Sequence, residues 1–265
     1  MGRTELMTQE RVTQIIAHRG DSGHGPENTL AAFRQAVQLG ADGVELDLHR
    51  AADGVPVVIH DHTLERTTSG LGRVEDHTST ELAALDAGSW FGADFSAEGI
   101  PTLASVLGLL GPTGMILHLE LKTGDGPDPL LVETVLALLA GAEASFPGLG
   151  ERIVVSSFQH GNLKAVLQYR PDLSCAALVD KEASRPWESA LALGCQGLHP
   201  PWERVDEAMV RATHDAGLAI RPWTVDDPEV AARLMDWGVD GIITNQPGPL
   251  LAVRRLGSDP AWEGA

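Results

Sequence analysis

Two acidic residues separated by one position give the first sign of chemistry in this 265-residue chain. Glu45 and Asp47 lie within the run VELDL, which is typical of a buried β-strand. Since side chains alternate along a strand, both carboxylates point to one face of it. Buried neighbouring carboxylates repel each other and lose hydration, so a divalent cation with oxygen ligands would stabilise them. A salt-bridged pair facing a lysine is the structural alternative, and the spacing alone leaves both open.

A turn signal after this strand brings histidines towards the carboxylates. Asp53-Gly54 is typical of a two-residue hairpin turn between two extended runs. In that register Asp47 lies opposite His60, and Glu45 lies opposite His62. Directly paired residues of antiparallel strands have Cβ atoms about 5 Å apart. The turn therefore predicts a histidine beside each acid, provided that no bulge shifts the register.

Two further strand ends bear groups suited to phosphate chemistry. At the first, the His18 imidazole can exchange a proton near neutral pH, and the Arg19 guanidinium can clamp a phosphate oxygen. On the third predicted strand, His118, Glu120 and Lys122 share one face. Glu120 offers a third oxygen ligand, and Lys122 offers charge for a phosphate or a developing oxyanion, unless the two form only a structural ion pair. Together these groups predict metal-assisted phosphodiester cleavage, with one histidine activating the nucleophile and another protonating the leaving alkoxide.

Short β-branched runs alternate with helical patterns along the chain, which is typical of a (β/α)8 barrel. The predicted strands are Thr13–His18, Gly43–Leu48, Met115–Leu121, Arg152–Ser156, Ser174–Val179, Gln196–His199, Leu218–Trp223 and Asp240–Thr244. The predicted helices are Asn28–Leu39, Leu130–Ala144, Gly161–Tyr169, Arg204–Ala216 and Pro228–Trp237. Asn28 is predicted to cap the first helix. The sequence therefore predicts one TIM-barrel catalytic domain over residues 1–265, with its active site at the C-terminal ends of the strands.

Residues 48–99 interrupt this alternation after the second strand. We interpret them as a small insertion over the C-terminal face of the barrel, with the next helix beginning near Pro101. Trp90, Phe91 and Phe95 are predicted to form an apolar floor for it. The insertion would thus lie where the predicted site opens.

The composition of the chain restricts the classes of molecule that the protein is expected to bind. The chain has 37 acidic and 19 basic residues, giving a net charge of −18, which disfavours binding to nucleic acid or anionic membranes. No run approaches the roughly 18 apolar residues of a membrane span, and the first residues lack the apolar core of a signal peptide. Cys175 and Cys195 lie in apolar runs and are predicted to be buried free thiols. We expect a cytoplasmic protein; its oligomeric state is not indicated.

Several blocks of the sequence resemble glycerophosphodiester phosphodiesterases in order and spacing over residues 13–251. The most specific are HRGDSGHGPENT, VELDL followed by DGVPVVIHD, and HLELK. The resemblance implies a TIM barrel with an insertion after the second strand, and hydrolysis of glycerophosphodiesters to glycerol 3-phosphate and an alcohol. It also implies residue roles: Mg or Ca ligands at Glu45, Asp47 and Glu120, acid/base histidines at His18 and His60, and phosphate-contacting cations at Arg19 and Lys122.

The resemblance further suggests Trp223 as a wall of the glycerol pocket, with packing inside the barrel as the alternative, and Phe158 near the alcohol. Three positions depart from the family pattern without removing a catalytic group. His118 stands where a small polar residue is frequent, Asn245 stands where aspartate is common, and Pro222 falls within a strand. His199 is a weaker candidate for a substrate contact. The other histidines are predicted to be surface or loop residues: His24, His49, His62, His77, His160 and His214.

The sequence leaves parts of the mechanism open. Our hypothesis makes His18 the general base and His60 the general acid, but the reverse assignment also fits. Water or the adjacent glycerol hydroxyl could attack the phosphorus. A phospholipase C- or D-like barrel enzyme acting on lipids is one alternative, although no signal peptide or docking run supports it. A catalytically silent phosphodiester-binding protein is another, although no ligand or histidine is missing.

Overall fold

The computed structural model describes residues 12–257 except residues 125, 181 and 183. The predicted domain boundaries, residues 1 and 265, lie outside the described residues. Within them the strands are β1 (Gln14–His18), β2 (Gly43–Arg50), β3 (Pro56–Val58), β4 (Ile116–Leu121), β5 (Ile153–Ser157), β6 (Ser174–Leu178), β7 (Gly197–His199), β8 (Ala219–Ile220) and β9 (Gly241–Thr244). All except β3 are parallel to their neighbours. The eight predicted strands correspond to these parallel strands.

The α-helices of the described residues lie outside the ring of strands, except α2, which packs within the segment after β2. They are α1 (Leu30–Leu39), α2 (Ser79–Ala83), α3 (Leu103–Leu110), α4 (Pro129–Ser145), α5 (His160–Tyr169), α6 (Pro186–Leu193), α7 (Glu207–Asp215), α8 (Pro228–Asp236) and α9 (Pro247–Gly257). The five predicted helices are confirmed to within three residues at each end, and α3 begins close to the predicted position. Helices α2, α6 and α9 were not predicted from the sequence.

The parallel strands form a ring in the order β8-β7-β6-β5-β4-β2-β1-β9. Backbone hydrogen bonds join its two ends: Asp240 N donates to Ile220 O, Ile243 N to Pro222 O, and Val225 N to Ile243 O, each at 3.0 Å. The predicted TIM barrel is therefore confirmed. The predicted strand Leu218–Trp223 is shortened to β8 because Pro222 has no N–H to donate to regular pairing.

Alternation along β2 and β4 separates the barrel's apolar and polar faces. Val44 and Leu46 of β2 are fully buried against the helices, as is Leu119 of β4. The residues between them point into the barrel. In the β2–β4 pairing Glu45 lies opposite His118, and Asp47 opposite Glu120. This register brings the predicted carboxylates to adjacent positions at one end of the barrel.

The hairpin between β2 and β3 has a different register from the predicted one. Leu48 pairs with Val58, and Ile59 N donates to Asp47 O at 3.1 Å. Ala51 N donates to Val55 O, so the loop contains three residues and not two. Gly54 adopts a left-handed conformation with φ of 83°, as the last residue of such a loop requires.

This shift overturns two predicted pairings. Asp47 lies opposite Ile59 and not His60, and Glu45 does not pair with His62. The extra loop residue moves every later residue by one position, which reverses the faces of the strand. His62 instead packs edge-to-face on His49, with ring centroids 4.7 Å apart.

The segment after β2 has a small core of its own. That core comprises Ala51, Val57, Ile59, Leu64, Val74, Leu82, Ala87 and Ile100. The predicted aromatic floor is wrong, because Trp90 and Phe91 are 44% and 36% exposed. They stack edge-to-face with each other, and Phe91 stacks on Phe95. In the part of the chain that the structure describes, no helix combines the length and apolarity needed to cross a membrane.

Candidate active site

Three carboxylates converge at the C-terminal ends of β2 and β4. Glu45, Asp47 and Glu120 are all buried, and one oxygen from each lies within 4.8 Å of the others. The structure thus brings together the three residues that the sequence suggested as metal ligands. Such proximity of buried acids requires compensating positive charge.

Two cationic side chains supply part of that compensation. Lys122 Nζ lies 2.6 Å from Glu120 Oε1 and 3.2 Å from Asp47 Oδ1, and Arg19 Nε lies 3.1 Å from Asp47 Oδ2. Although burial alone would raise the pKa of Asp47, Lys122 and Arg19 hold it below its ordinary value. Burial raises the pKa of Lys122's other partner, Glu120, to about 7, which the ammonium of Lys122 only partly opposes. The ion pair considered from sequence is present, but it leaves negative charge unbalanced.

The uncompensated negative charge of the cluster affects Glu45 strongly. Burial, with the repulsion of Asp47 and Glu120, raises the pKa of Glu45 well above its ordinary value. Its buried Oε1 has no hydrogen-bond partner among the residues that the structure describes. A buried unpaired carboxylate oxygen facing two other carboxylates fits the oxygen-rich donor set of a hard divalent cation. Glu45, Asp47 and Glu120 could therefore hold a divalent metal ion.

His18 lies on one side of the carboxylates, at the end of β1. Its Nδ1 is 2.7 Å from Asn245 Oδ1, and its Nε2 is 3.9 Å from Glu45 Oε2. Burial, reinforced by the charge of Arg19, lowers the pKa of His18 to about 4. The imidazole is therefore neutral near pH 7 and can accept a proton.

His60 contributes a second imidazole from the segment after β3. Its Nδ1 lies 2.6 Å from Asp61 Oδ1, and the Asp61 carboxylate receives hydrogen bonds from Arg66 at 2.6 and 3.0 Å. Arg66 also donates to both oxygens of Glu27, and Glu27 accepts from Arg19 at 2.8 Å. Burial lowers the pKa of His60, although Asp47 opposes this effect. Glu27, Asp61 and Arg66, none of which was predicted from the sequence, thus connect His60 to Arg19.

Both histidines line a common cavity of about 170 Å³. Its walls contain His18, Arg19, Glu45, His60, Glu120, Lys122, Ser156, Phe158, Leu178, His199, Trp223, Thr224 and Ile243. All predicted site residues line it except Asp47, which is completely buried. A second cavity, of about 380 Å³, shares Lys122 with the first and is lined by His49, Arg50, His62 and Arg73 among others.

Trp223 and Phe158 form the apolar side of the smaller cavity. Their rings meet edge-to-face with centroids 5.9 Å apart, and Trp223 Nε1 donates to His199 O at 2.8 Å. Trp223 therefore faces the cavity and is fixed by a backbone carbonyl. Its contact with the glycerol part of a substrate stays a prediction.

Asn28 has a different place from the predicted one. Thr29, and not Asn28, is the N-cap of α1, because its hydroxyl accepts from Ala32 N. Asn28 has a φ of 59°, is buried, and donates from Nδ2 to Asp47 Oδ2 at 2.7 Å. A second position was also misassigned: His49 is buried, and its Nε2 donates to the carbonyl of His60.

A barrel with acids, imidazoles and cations converging on one cavity has the equipment of a phosphoric diester hydrolase. Comparison with known families agrees, because residues 18–249 match the glycerophosphoryl diester phosphodiesterase family. The chain belongs to this family, and it is a phosphoric diester hydrolase.

Individual relatives cover nearly the whole chain. A glycerophosphodiester phosphodiesterase of Caldanaerobacter subterraneus subsp. tengcongensis is 41% identical over 245 residues, which are 92% of this chain and 99% of the relative. One from Bacillus subtilis is 33% identical over 91% of this chain and 86% of its own length. Among solved structures, an Oleispira antarctica phosphodiesterase in complex with the product sn-glycerol-3-phosphate is 33% identical, with a TM-score of 0.86. That similarity covers 91% of this chain and 96% of the other.

Proposed function

We propose that this protein hydrolyses glycerophosphodiesters to glycerol 3-phosphate and an alcohol, using a divalent cation and a pair of histidines. The observation that supports this most strongly is the position of Glu45, Asp47 and Glu120 in one cluster, beside a cavity lined by His18 and His60. The family to which the chain belongs also supports hydrolysis of glycerophosphodiesters.

The carboxylate cluster would hold Mg or Ca, which when bound neutralises the phosphoryl oxygens and polarises the phosphorus. Arg19 and Lys122 add fixed positive charge at the same cavity. Both side chains are held by carboxylates, Arg19 by Asp47 and Lys122 by Asp47 and Glu120. Both side chains are therefore held in position before the substrate binds, which lowers the free-energy cost of stabilising charge during the reaction.

The neighbours of the two imidazoles support separate proton-transfer roles. His18 Nδ1 contacts a neutral amide, that of Asn245, and the imidazole is neutral near pH 7. It is suited to accept a proton from the attacking oxygen at Nε2. His60 Nδ1 contacts the carboxylate of Asp61, which partly offsets the lowering of the His60 pKa by burial and so favours the protonated ring more than a neutral amide does. It is suited to donate a proton to the leaving alcohol oxygen.

The two cavities suggest where each end of the substrate binds. The apolar wall made by Trp223 and Phe158 would contact the glycerol carbons in the smaller cavity; because Phe158 packs on Trp223, this proposal places it at the glycerol and not near the alcohol, as the sequence had suggested. The alcohol would extend past Lys122 towards the larger cavity, where His62 and Arg73 come from the insertion over residues 48–99. In this proposal the insertion covers the C-terminal face and contributes to the choice of alcohol. A cytoplasmic location belongs to the same proposal and agrees with the two buried free thiols.

The direct test is a substrate panel. The protein is incubated with glycerophosphocholine or a lysophospholipid, in Mg, Ca or EDTA, and released glycerol 3-phosphate and choline are measured. We expect glycerol 3-phosphate from glycerophosphocholine in a divalent cation and none in EDTA. Preferential cleavage of the lysophospholipid would favour the lipid-directed alternative, and no cleavage in any cation would favour a binding protein.

Three variants assign the site. Glu45→Ala, His18→Ala and His60→Ala should each lower kcat at least about 100-fold, because each removes metal or acid/base chemistry. His77→Gln, which replaces an imidazole outside the cavity, is the matched control. Wild-type turnover in the three site variants would refute the assignment.

A further inference from the structure

A chain of hydrogen bonds leads from the surface to His18. Asp226 is exposed and follows β8, and Asn245 follows β9. Asp226 Oδ2 accepts from Asn245 Nδ2 at 2.8 Å, and Asn245 Oδ1 lies 2.7 Å from His18 Nδ1. Asp226 is neither a wall of the catalytic cavity nor a member of the carboxylate cluster.

The carboxylate determines which way the Asn245 amide faces. Asp226 Oδ1 accepts from Asn245 N at 2.8 Å and from Thr244 Oγ1 at 3.0 Å. Its Oδ2 can only accept when ionised, so Asn245 must present its NH₂ group to Asp226. The amide oxygen then faces His18 and also lies 2.8 Å from Ser22 Oγ. The reversed amide would place two acceptor oxygens against each other.

An amide oxygen beside Nδ1 selects one tautomer of a neutral imidazole. Nδ1 must bear the hydrogen, so Nε2 has the free lone pair. Nε2 is the nitrogen that faces Glu45 and the cavity. We propose that Asp226 is a positioning residue that, through the Asn245 amide, holds His18 in the Nδ1–H tautomer with Nε2 able to accept a proton. The effect on catalysis rests on the proposed function; the effect on the tautomer does not.

Asp226→Asn makes an unusually sharp test because it should reverse the relay. The backbone N–H of Asn245 can only donate, so the oxygen of the new side chain must stay at the Oδ1 position. Its NH₂ group then faces Asn245, whose amide turns and directs its own NH₂ group at His18 Nδ1. His18 should change to the Nε2–H tautomer, and kcat should fall at least about tenfold, since general base catalysis contributes about 100- to 10,000-fold.

The double variant Asp226→Asn with Asn245→Asp supplies the rescue. The carboxylate at position 245 accepts from His18 Nδ1–H with one oxygen and from the new NH₂ group with the other. The Nδ1–H tautomer should return, with kcat within about threefold of the wild type, since the acid/base contribution is restored. Glu229→Gln, which removes the same charge from an exposed residue of α8, is the control and should change neither the His18 tautomer nor kcat.

Ring ¹⁵N chemical shifts and two-bond ¹H–¹⁵N correlations of ¹⁵N-histidine-labelled protein at pH 8, with Mg present, report the tautomer. The His18 signal is assigned by its loss in His18→Gln. A tautomer change in Asp226→Asn that the double variant reverses supports the proposal. An unchanged tautomer in Asp226→Asn overturns it, whatever happens to kcat. A reversed tautomer with wild-type kcat supports the relay but contradicts the proposed catalytic role of His18.

Discussion

Replacing Glu120 with glutamine tests whether burial makes the ionised carboxylate cluster destabilising when no cation is bound. Burial raises the pKa of Glu120 from 4.5 to about 7 in the folded protein. The folded protein therefore binds this proton more tightly than the unfolded chain does, and the contribution of Glu120 to stability falls as the pH rises from 4.5 through 7. Full ionisation corresponds to about 3 kcal/mol of lost stability, and about 2 kcal/mol of this falls between pH 5 and 8.

Glu120→Gln lacks this ionisation. In EDTA, the difference in Tm between the variant and the wild type should therefore grow in the variant's favour by about 5 °C from pH 5 to pH 8. Comparing the two proteins at each pH is necessary because buried histidines have the opposite effect. The pKa of His199, for example, is lowered to about 3 by burial, so the contribution of this neutral ring to the stability of the folded protein is lost as the pH falls. That contribution is common to both proteins and cancels.

Differential scanning calorimetry at both pH values, with EDTA or saturating Mg, gives the measurement. Mg should raise the Tm of the wild type at pH 8 more than that of the variant, because the variant lacks one ligand. Glu133→Gln, an exposed charge removal on α4, should show no pH-dependent difference from the wild type. A Tm difference for Glu120→Gln that is the same at pH 5 and pH 8 would refute the role assigned to burial.

Three further expectations concern the surroundings of the site. Arg66→Met should lower kcat about tenfold with less effect on KM, because Asp61 loses the partner that orients it beside His60; steady-state kinetics decide, and an unchanged kcat would contradict the orientation role. Trp223→Ala should raise KM about tenfold and leave kcat within about threefold, as expected for lost substrate contact; a fall in kcat alone would argue against a wall role. Burial raises the thiol pKa of Cys175 to about 12 and that of Cys195 to about 11, so neither should react with a disulfide reagent at pH 8 until the protein is unfolded; rapid reaction of the native protein would disprove this.

Strand periodicity explains how much of the site could be predicted. The alternation in β2 and β4 places Glu45, Asp47 and Glu120 on the interior face, and parallel pairing of the two strands aligns them. Those relations depend only on a two-residue repeat and on neighbouring strands. Parallel pairing of β1 with β2 then brings His18, at the end of β1, to the same rim opposite Glu45.

Hairpin register was predicted incorrectly because a single loop residue determines it. Asp53-Gly54 is compatible with both a two-residue turn and the last two residues of a three-residue loop, and the structure has the latter. His60 still reaches the cavity because it lies beyond the last ladder residue, Val58, where the pleat no longer sets its direction. The position of His60 beside the carboxylates was therefore predicted for a reason that does not hold, and its catalytic role stays a prediction.

The orienting residues could not be predicted because their contacts join distant segments. Asn28 resembles a helix cap in sequence, and only its left-handed φ and its bond to Asp47 reveal another role. Arg66 reaches Glu27 across 39 positions of the sequence, and Asn245 reaches His18 across 227. No local periodicity encodes such pairs, since the barrel must form before they meet.

We infer that the three carboxylates hold a divalent cation within reach of both histidines. Anomalous diffraction from crystals soaked in Mn²⁺, a substitute for Mg with the same preference for oxygen ligands, would locate that cation. We expect one strong anomalous peak bounded by oxygens of Glu45, Asp47 and Glu120, and its loss in Glu45→Ala. A peak elsewhere, or none in an enzyme that stays active in EDTA, would contradict the claim.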